Sequence, residues 1–479
     1  MGLNRELRRL LAGLLVAFLI VALSAAYWGV VERERLLARE DNPRQLEARG
    51  AIMRGSIYDR HGEPLAVTEP TETRFNTRHY LHEEAYSAVG YASLRYGSAG
   101  VEALFDDTLN GDDQERSFGD LLLGNPQIGT DLQTTLDMDV QRTAANALQG
   151  LRGAIIVLSV PDGQVLALLS LPTYDPNTLD DDWESLLTAE GNPFFNRALQ
   201  GRYQPGGALQ TPLMIKLLLD GQAVDQEFGE ATAPIALNGL TLSCSVRLPI
   251  QALTLRDAYA FGCPAPFAEL AQGESSSFVN EALDMMRTLE DYTLEQPTTS
   301  ADRADVLPPP ANDTLLDRVL GQGQLTVNPL SMALLTAAIV DDGNAPRPQI
   351  LLAAHAPNAQ WTRHVPNAPS IPLMTQTNAR RLQDLMRNAI ANGAALNAGR
   401  PSIDMGGHAA VAYTGDDALA WFVGFSTLSG RRGVVAAVVI EQSDDAALAA
   451  DIGGTTLLAA QTALGAETGA SAPFPQSGP

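Results

Sequence analysis

An uncharged, apolar run of 22 residues, Leu10–Val31, constrains this chain more than any other feature of its sequence. As a helix it would be long enough, at about 1.5 Å per residue, to cross a hydrocarbon layer of about 30 Å. Arg5, Arg8 and Arg9 precede the run, while the charges of Glu32–Arg35 cancel. Because positive charge collects on the cytoplasmic side, we predict a single-pass transmembrane helix, with the N-terminus cytoplasmic and the bulk of the chain extracytoplasmic.

A cleaved signal peptide is the alternative for this segment. Ala25 and Ala26 are small enough for a cleavage site. The apolar region of a signal peptide usually has about 7–15 residues, so the length of the run favours an anchor in the cell membrane.

The rest of the chain is long enough for more than one hydrophobic core. With 479 residues, an apolar fraction of 45% and a charged fraction of 18%, it fits two folded regions after the anchor. The net charge of −24 repels phosphate backbones, so nucleic acid is not expected as a partner.

Cys244 and Cys263 are the only cysteines in the sequence. Two cysteines do not make a disulfide framework, and their spacing does not fit a zinc site, so we expect no metal and no cofactor. They could form one disulfide in an oxidising compartment or stay as two unpaired core thiols. Sequence separation does not decide between these two states.

Residue patterns divide the chain into a loop-rich part and a part with longer elements. A charged stalk ends near Asn42-Pro43, and turn residues between Arg54 and Gly129 predict short strands and loops. From Thr130 a strand is predicted to run into an amphipathic helix. Residues Gly153–Pro172 then predict two strands around a Pro-Asp-Gly turn.

Three further apolar segments predict helices, at Pro212–Leu219, Leu255–Leu270 and Pro329–Val340. Two β-rich runs, AWFVGFS and GVVAAVVIEQS, then predict a hairpin around TLSGRRG. Strands at both ends with helices between them predict an α/β (α+β) domain with a mainly antiparallel sheet. Residues Glu290–Thr314 are predicted as a mobile loop, and the tail from Gly465 as disordered.

Two segments resemble the pedestal domain of class B penicillin-binding proteins. They are MRGSIYDRHGEPLAV at Met53–Val67 and VGYASLRYGSAGVEALFDDTLNG at Val89–Gly111. The residues of this pedestal signature are Arg54, Gly55, Asp59, Arg60, Gly62, Gly97, Gly100 and Glu102. The resemblance implies that membrane helix and pedestal join a polytopic glycan polymerase, so we expect the signature to remain a partner surface.

Further segments match the same family in its own order, namely LALLSLPTYDPN at Leu166–Asn177, NRALQGRYQPG at Asn196–Gly206 and GQGQLTVNPLSMALLTAAIVDDG at Gly321–Gly343. Together the matches are similar to the short, penicillin-binding protein A type of this family. The resemblance implies a cytoplasmic tip and transmembrane helix over 1–35 and a stalk with an elongated, β-rich, dimerisation-type pedestal over 36–129. It also implies a penicillin-binding transpeptidase-like domain over 130–464, with an antiparallel sheet flanked by helices. The composition of residues 465–479 predicts a disordered tail after it.

D,D-transpeptidation in this family uses three motifs, S-x-x-K, S-x-N and K-T-G, which provide a nucleophile, a base, a proton relay and a cation for the substrate carboxylate. The first motif of this chain reads Gly207-Ala208-Leu209-Gln210. Glycine has no nucleophilic side chain, and the amide of Gln210 does not ionise and cannot act as a base.

The second and third motifs have also lost their reactive groups. The second aligns without gaps to Gly262, Cys263 and Pro264, and proline has no side-chain donor that could orient a substrate amide. The third reads Tyr413-Thr414-Gly415, which keeps the shape of the strand and loses the cation, while Asp416-Asp417 adds negative charge.

The lysine content of the chain tests this alignment independently, because Lys216 is its only lysine. Two catalytic lysines cannot be provided in any register, and moving Lys216 into S-x-x-K would place Leu213 at the nucleophile position. We therefore predict that no catalytic residue is intact and that the chain is a pseudoenzyme.

Substitute groups remain as alternatives. Cys263 and His408 could act as a nucleophile and its base, although a core thiol and a loop histidine are the favoured interpretation. Thr211 and Ser243 are interpreted as a helix hydroxyl and a loop hydroxyl, and Tyr413 as filling the space of the lost lysine. Backbone N–H groups of Gly206-Gly207 at a helix start would suit an anion, which leaves an unreactive ligand-binding cleft open.

Three functions are compatible with these observations. The favoured one is a catalytically inactive scaffold or regulator of a membrane glycan polymerase in peptidoglycan synthesis, during cell division or elongation. The second is an active D,D-transpeptidase with unusual catalytic residues. The third is a non-covalent sensor of β-lactams or muropeptides, which would bind peptidoglycan stem peptides in the cleft.

Overall fold

The structure is a computed structural model of the chain, and it describes residues 3–27, 49–71, 75–114, 126–272, 277–290, 294, 313–365, 369–415, 417–428 and 432–466. The predicted stalk, most of the predicted loop over Glu290–Thr314, and the predicted tail beyond Ala466 lie outside these residues. Gly465 and Ala466, the first residues of that tail, are helical.

The first helix, α1, covers Leu3–Ala26. Within the residues just named, the structure contains no helix with the length and apolar character needed to cross a membrane. Residues 28–31 of the predicted transmembrane run, Leu10–Val31, lie outside the described ranges.

The remaining elements follow in chain order. The strands are β1 (Ile57–Tyr58), β2 (Pro64–Glu69), β3 (Thr77–Tyr80), β4 (Tyr91–Ser93), β5 (Gly97–Ala99), β6 (Asp131–Thr134), β7 (Gly153–Val160), β8 (Val165–Leu171), β9 (Glu227–Phe228), β10 (Ile235–Leu237), β11 (Leu240–Leu242), β12 (Leu253–Thr254), β13 (Asn344–Ala345), β14 (Leu351–His355), β15 (Thr362–Arg363), β16 (Ile371–Pro372), β17 (Asp404–Thr414), β18 (Asp417–Thr427) and β19 (Gly433–Glu441). The helices after α1 are α2 (Tyr86–Val89), α3 (Gly100–Leu104), α4 (Asp106–Asn110), α5 (Met138–Leu148), α6 (Leu179–Leu187), α7 (Gln210–Leu219), α8 (Leu255–Ala260), α9 (Ala265–Gln272), α10 (Ser277–Glu290), α11 (Leu315–Val319), α12 (Pro329–Val340), α13 (Gln376–Asn392) and α14 (Ala446–Ala466).

A five-stranded sheet, in the order β17-β18-β19-β7-β8, forms the centre of the larger part of the molecule. Every neighbouring pair is antiparallel, which confirms the predicted mainly antiparallel sheet. Strand β7 is buried at every position and apolar at all but Ser159, because helices cover both faces of the sheet. Alternate residues of β18 and β19 enter one core with α12 and a second core with α14.

The sequence patterns located most of these elements. The helices predicted at Pro212–Leu219 and Pro329–Val340 are present as α7 and α12. The helix predicted over Leu255–Leu270 is wrong as one element, since it is divided into α8 and α9. The division occurs at Gly262, whose φ of +63° is not helical.

A second sheet crosses the domain boundary predicted near Gly129. Its order is β15-β14-β6-β1-β2-β3, with β1 and β6 parallel. Strands β1–β3 come from the predicted pedestal, whereas β6, β14 and β15 come from the chain after residue 130. The pedestal is therefore joined to the larger part through a shared sheet.

Candidate active-site cleft

The degenerate motif positions meet at one cavity of about 270 Å³. Gly207 lies in a 3₁₀ turn, Gly206–Leu209, that leads into α7, and Gln210 is the first residue of that helix. Gly262 and Pro264 lie between α8 and α9, and Tyr413 lies near the end of the edge strand β17. The cavity lining includes all five, whereas Thr414 and Gly415 are not part of it.

Gln210 links the first motif to the second. Its side chain is buried, with 3% of the residue exposed, and Nε2 donates a hydrogen bond to the Cys263 carbonyl at 3.2 Å. The other amide atom, Oε1, is buried and accepts no hydrogen bond from the described residues. A catalytic base at this position would have to take up a proton. The Gln210 amide cannot do so, and it links the start of α7 to the backbone at Cys263 instead.

The predicted anion site at the helix start is reduced by local hydrogen bonds. The Gly206 N–H donates to the Gly321 carbonyl at 3.0 Å, and the Ala208 N–H donates to the Pro205 carbonyl at 2.9 Å. The Gly206 N–H, one of the two donors of the predicted site, is therefore not available to a bound anion.

Ser245 occupies the space of the second motif's serine. A Cβ atom added to Gly262 would lie 2.4 Å from Ser245 Oγ, and Gly262 has a φ of +63°, a conformation that side chains rarely adopt. The position therefore accommodates glycine only, and the nearby hydroxyl belongs to Ser245, which comes from a different loop.

Cys263 is bonded to Cys244 in a disulfide, which settles the question that the sequence left open. Cys263 is also fully buried. The interpretation of Cys263 as a substitute nucleophile is wrong for this state, because the sulfur has no thiolate to attack with.

His408 contacts the first motif rather than a thiol. Its Nε2 lies 3.2 Å from the Gly207 carbonyl, so Nε2 carries the proton, and its ring stacks on Tyr259 at 4.4 Å between centroids. Burial lowers the pKa of His408 to about 4, so the ring is neutral at pH 7. A Cys263–His408 catalytic pair is therefore not formed.

The other residues that the sequence pointed to are accounted for by packing, hydrogen bonding or strand pairing. Thr211 is buried in α7 with its Oγ1 3.1 Å from the Tyr259 hydroxyl, and Ser243 lies in a loop at the cavity. Tyr413 is half-buried and packs against the hydrophobic core. Asp417 pairs with Thr414 across the β17–β18 turn, while Asp416 lies outside the described residues.

Sequence analysis missed most of the other residues that line the cavity, and the polar ones among them are Thr241, Ser245, Arg247, Gln322 and Asp444. None of these polar residues belongs to a catalytic motif, and Gln322 alone lies in a segment that matches the family, Gly321–Gly343. Among the residues that the structure describes, no cluster of three His, Cys, Asp or Glu side chains could hold a metal ion.

In the pedestal, Glu102 is enclosed between two arginines. Its Oε2 accepts from Arg54 Nε at 2.6 Å, its Oε1 accepts from Arg78 Nε at 2.8 Å, and none of its surface is exposed. Burial alone would raise the pKa of Glu102, but the charges of Arg78 and Arg54 hold it below the ordinary value. The carboxylate is therefore charged and paired inside the pedestal.

The remaining signature residues also support the backbone. Asp59 accepts hydrogen bonds from the His61 and Glu63 N–H groups at 2.8 Å each. A Cβ on Gly55 would lie 1.9 Å from the Thr130 carbonyl oxygen, where the pedestal meets β6. Gly62, Gly97 and Gly100 have a left-handed backbone conformation, and Arg60 is buried.

Most of the signature residues pack inside the pedestal, and the expectation that they form a partner surface stays a prediction. The Arg54 side chain is only 10% exposed, and the signature residues hold strands and turns together. The packing of the pedestal explains why these positions match the family pattern.

Comparisons with known proteins agree with this architecture. The family described as "Penicillin binding protein transpeptidase domain" matches residues 153–457, and that described as "Penicillin binding protein A dimerisation domain" matches residues 54–131. The chain belongs to the class B penicillin-binding proteins, a family of peptidoglycan transpeptidases of the bacterial cell wall.

Within this family, the chain is similar to the peptidoglycan D,D-transpeptidase PbpA of Mycolicibacterium smegmatis. The two are 28% identical over 96% of this chain and 99% of the relative. The imipenem acyl-enzyme complex of penicillin-binding protein A from M. tuberculosis superposes with a TM-score of 0.73 at 25% identity, covering 86% of this chain and 99% of that one.

A D,D-transpeptidase domain of a peptidoglycan glycosyltransferase from Eggerthella lenta has the same fold. Its TM-score is 0.74 at 23% identity, over 87% of this chain and 100% of that one. The family and the transpeptidase fold predicted from the sequence are therefore confirmed.

Proposed function

We propose that this chain is a non-catalytic penicillin-binding protein that serves peptidoglycan synthesis as a scaffold or regulator of a membrane glycan polymerase. One observation carries the proposal: Gly207, Gln210, Gly262, Pro264 and Tyr413 converge on a single cavity. This convergence supports the proposal, because the family's motif spacing assigns these positions to nucleophile, base, relay and cation, and none of the five residues has the chemistry of its step.

The remaining hydroxyl groups of the cavity do not replace the lost chemistry. Thr241, Ser243 and Ser245 are part of the lining, and the described lining includes no lysine and no histidine. A hydroxyl without a base beside it stays protonated and is a weak nucleophile. For scale, removing the nucleophile of a serine hydrolase lowers turnover by about 10⁶-fold.

The same proposal includes a membrane location and a protein partner. The uncharged run Leu10–Val31 and the arginines before it support a single-pass anchor with the folded part outside the cytoplasm. An intact pedestal supports a polytopic polymerase as the partner, in division or elongation. Recovery of the full chain in the membrane fraction is expected, and a mature chain that begins after Ala26 would contradict the anchor.

Fluorescent penicillin labelling tests the loss of catalysis, with M. smegmatis PbpA as the active comparison. The parent chain should remain unlabelled. Gly207→Ser is a suitable first variant because its Cβ would lie 3.0 Å from Ala410 Cβ, which a small shift can relieve. It should also remain unlabelled, since its hydroxyl would face Gln210 and residues that act as a unit do not contribute additively.

The combined variant Gly207→Ser/Gln210→Lys/Pro264→Asn/Tyr413→Lys is the matched positive arm. It should gain slow labelling, because it restores nucleophile, base and carboxylate-binding cation together. Labelling of the parent chain, or of Gly207→Ser alone, would contradict the proposal.

A non-covalent ligand sensor is the second candidate function. The buried Gln210 Oε1, without a partner among the described residues and in the cavity lining, favours it. An active transpeptidase with unusual residues has lost its main support, since Cys263 is held in the disulfide.

A further inference from the structure

Two residues that line the old catalytic cavity each have a buried acceptor atom. Gln210 Oε1 and Gln322 Oε1 are both enclosed, both lack a hydrogen-bond partner within the described ranges, and both residues line the cavity. The orientation of the Gln210 amide is fixed, because only Nε2 can donate to the Cys263 carbonyl. Buried polar atoms are almost always paired, so these two favour a ligand that donates hydrogen bonds.

No buried cation lines the same cavity among the described residues. The described lining has no lysine, and the Gly206 N–H is already bonded to the Gly321 carbonyl. Arg247 and Asp444 are the charged residues of the lining, and both are exposed and opposite in sign. Exposed charges are screened by solvent, so this pair provides little net attraction for an anion.

An uncharged amide suits these surroundings better than either kind of ion. Its N–H groups can donate to the glutamine oxygens, and its carbonyl can accept from the hydroxyls of Ser243 and Ser245. A carboxylate would lose its hydration without gaining a buried cation. An ammonium group would need a buried carboxylate, and the one carboxylate of the described lining is exposed.

We propose that the cleft is a non-covalent binding site for an uncharged, amide-bearing peptide segment and that it discriminates against the same peptide with a free carboxylate. Gln210 and Gln322 accept the N–H groups of the ligand. The inference rests on the proposed unreactive cleft, and it gives that cleft a preference opposite to the carboxylate binding of a K-T-G lysine.

The test compares two matched probes, N-acetyl-dialanine amide and N-acetyl-dialanine, in ligand-observed NMR titrations of the full chain. The amide should bind at least about tenfold more tightly than the acid, the ratio expected for one good hydrogen bond and an unpaired charge avoided. Equal affinities, tighter binding of the acid, or no binding of either probe at millimolar concentration would overturn the proposal.

Variants assign the binding to named atoms. Gln210→Met keeps the size of the side chain and removes the acceptor, so amide affinity should fall about five- to tenfold. Gln322→Met provides an independent arm if Gln210→Met destabilises the fold, because Gln210 also supports the Cys263 carbonyl. Gln324→Met, at an exposed neighbouring position outside the lining, is the control and should bind as the parent does.

Two further variants test the charge preference. Tyr413→Lys places a cation on the same wall and should raise affinity for the acid at least about tenfold. If the acid binds the parent chain and Arg247→Ala abolishes that binding, Arg247 has taken over carboxylate recognition and the inference is wrong. A penicillin adduct would contradict the proposed loss of catalysis without changing the amide-to-acid ratio, so the two failures are distinguishable.

Discussion

Glu102 in the pedestal and Gln210 in the cleft are both buried, but they differ in how far their polar atoms are paired. Both carboxylate oxygens of Glu102 are paired with arginines, whereas one amide atom of Gln210 accepts no hydrogen bond from the described residues. The pedestal keeps family residues that stabilise it, and the cleft has replaced family residues that react. A retained signature can therefore report packing, and a retained cavity can persist after its chemistry is gone.

The largest expected effect is in the pedestal. Glu102→Ala leaves Arg54 and Arg78 buried without their shared carboxylate, which should lower the free energy of unfolding by about 3–5 kcal/mol. Asp106→Ala is the matched control, since Asp106 pairs with the same Arg54 at 2.7 Å but is 38% exposed. It should lower that free energy by about 1 kcal/mol or less. Urea unfolding measures both, and equal losses would break the contrast between a paired interior and a screened surface.

A buried titratable group in the cleft gives the next effect. The folded chain keeps His408 neutral down to about pH 4, while the unfolded chain takes up a proton near pH 6.5. Between these values the unfolded state binds more protons, so the free energy of unfolding should fall as pH drops from 6.5 to 4, by up to about 3 kcal/mol from this group.

His408→Phe removes this contribution while keeping a ring against Tyr259. On acidification below pH 6.5, the free energy of unfolding of the parent should therefore fall relative to that of the variant. Parallel profiles for the parent and His408→Phe would mean that the cleft is open to water at this point.

Two glycines of the pedestal signature sharpen the distinction between packing and conformation. Gly97 and Gly100 both have positive φ, +79° and +66°. A Cβ on Gly97 meets nothing within 4 Å, whereas one on Gly100 would lie 2.8 Å from the Ala88 and Val89 carbonyl oxygens. Gly97→Ala should cost about 1 kcal/mol of unfolding free energy, and Gly100→Ala about 2–3 kcal/mol. Thermal unfolding compares them, and equal costs would assign both effects to backbone conformation alone.

Regular patterns were sufficient to predict the centre of the fold. The apolar runs of β7, β18, β19 and α12 are long and buried on more than one side, so composition alone indicates them. The break between α8 and α9 was missed because apolar residues continue across Gly262, and periodicity does not reveal a positive φ. The sheet shared between pedestal and transpeptidase part depends on long-range pairing, which no local pattern encodes.

The motif positions of the site were found from sequence, and their surroundings were not. Gly207, Gly262 and Tyr413 could be placed because family spacing marks them. Ser245 and Gln322 approach from separate loops, and the Cys244–Cys263 disulfide depends on distances that only the fold provides.

The most direct test of the unreactive cleft is intact-mass spectrometry of the full chain after prolonged incubation with penicillin G, in oxidised and thiol-reduced samples. Both samples should keep the mass of the untreated chain, since neither Gly207 nor the described cavity lining offers an activated nucleophile. A penicilloyl adduct on any residue of the transpeptidase domain would contradict the account. An adduct on Cys263 that forms only after reduction would contradict it as well, and would identify the disulfide as the mask of a substitute nucleophile.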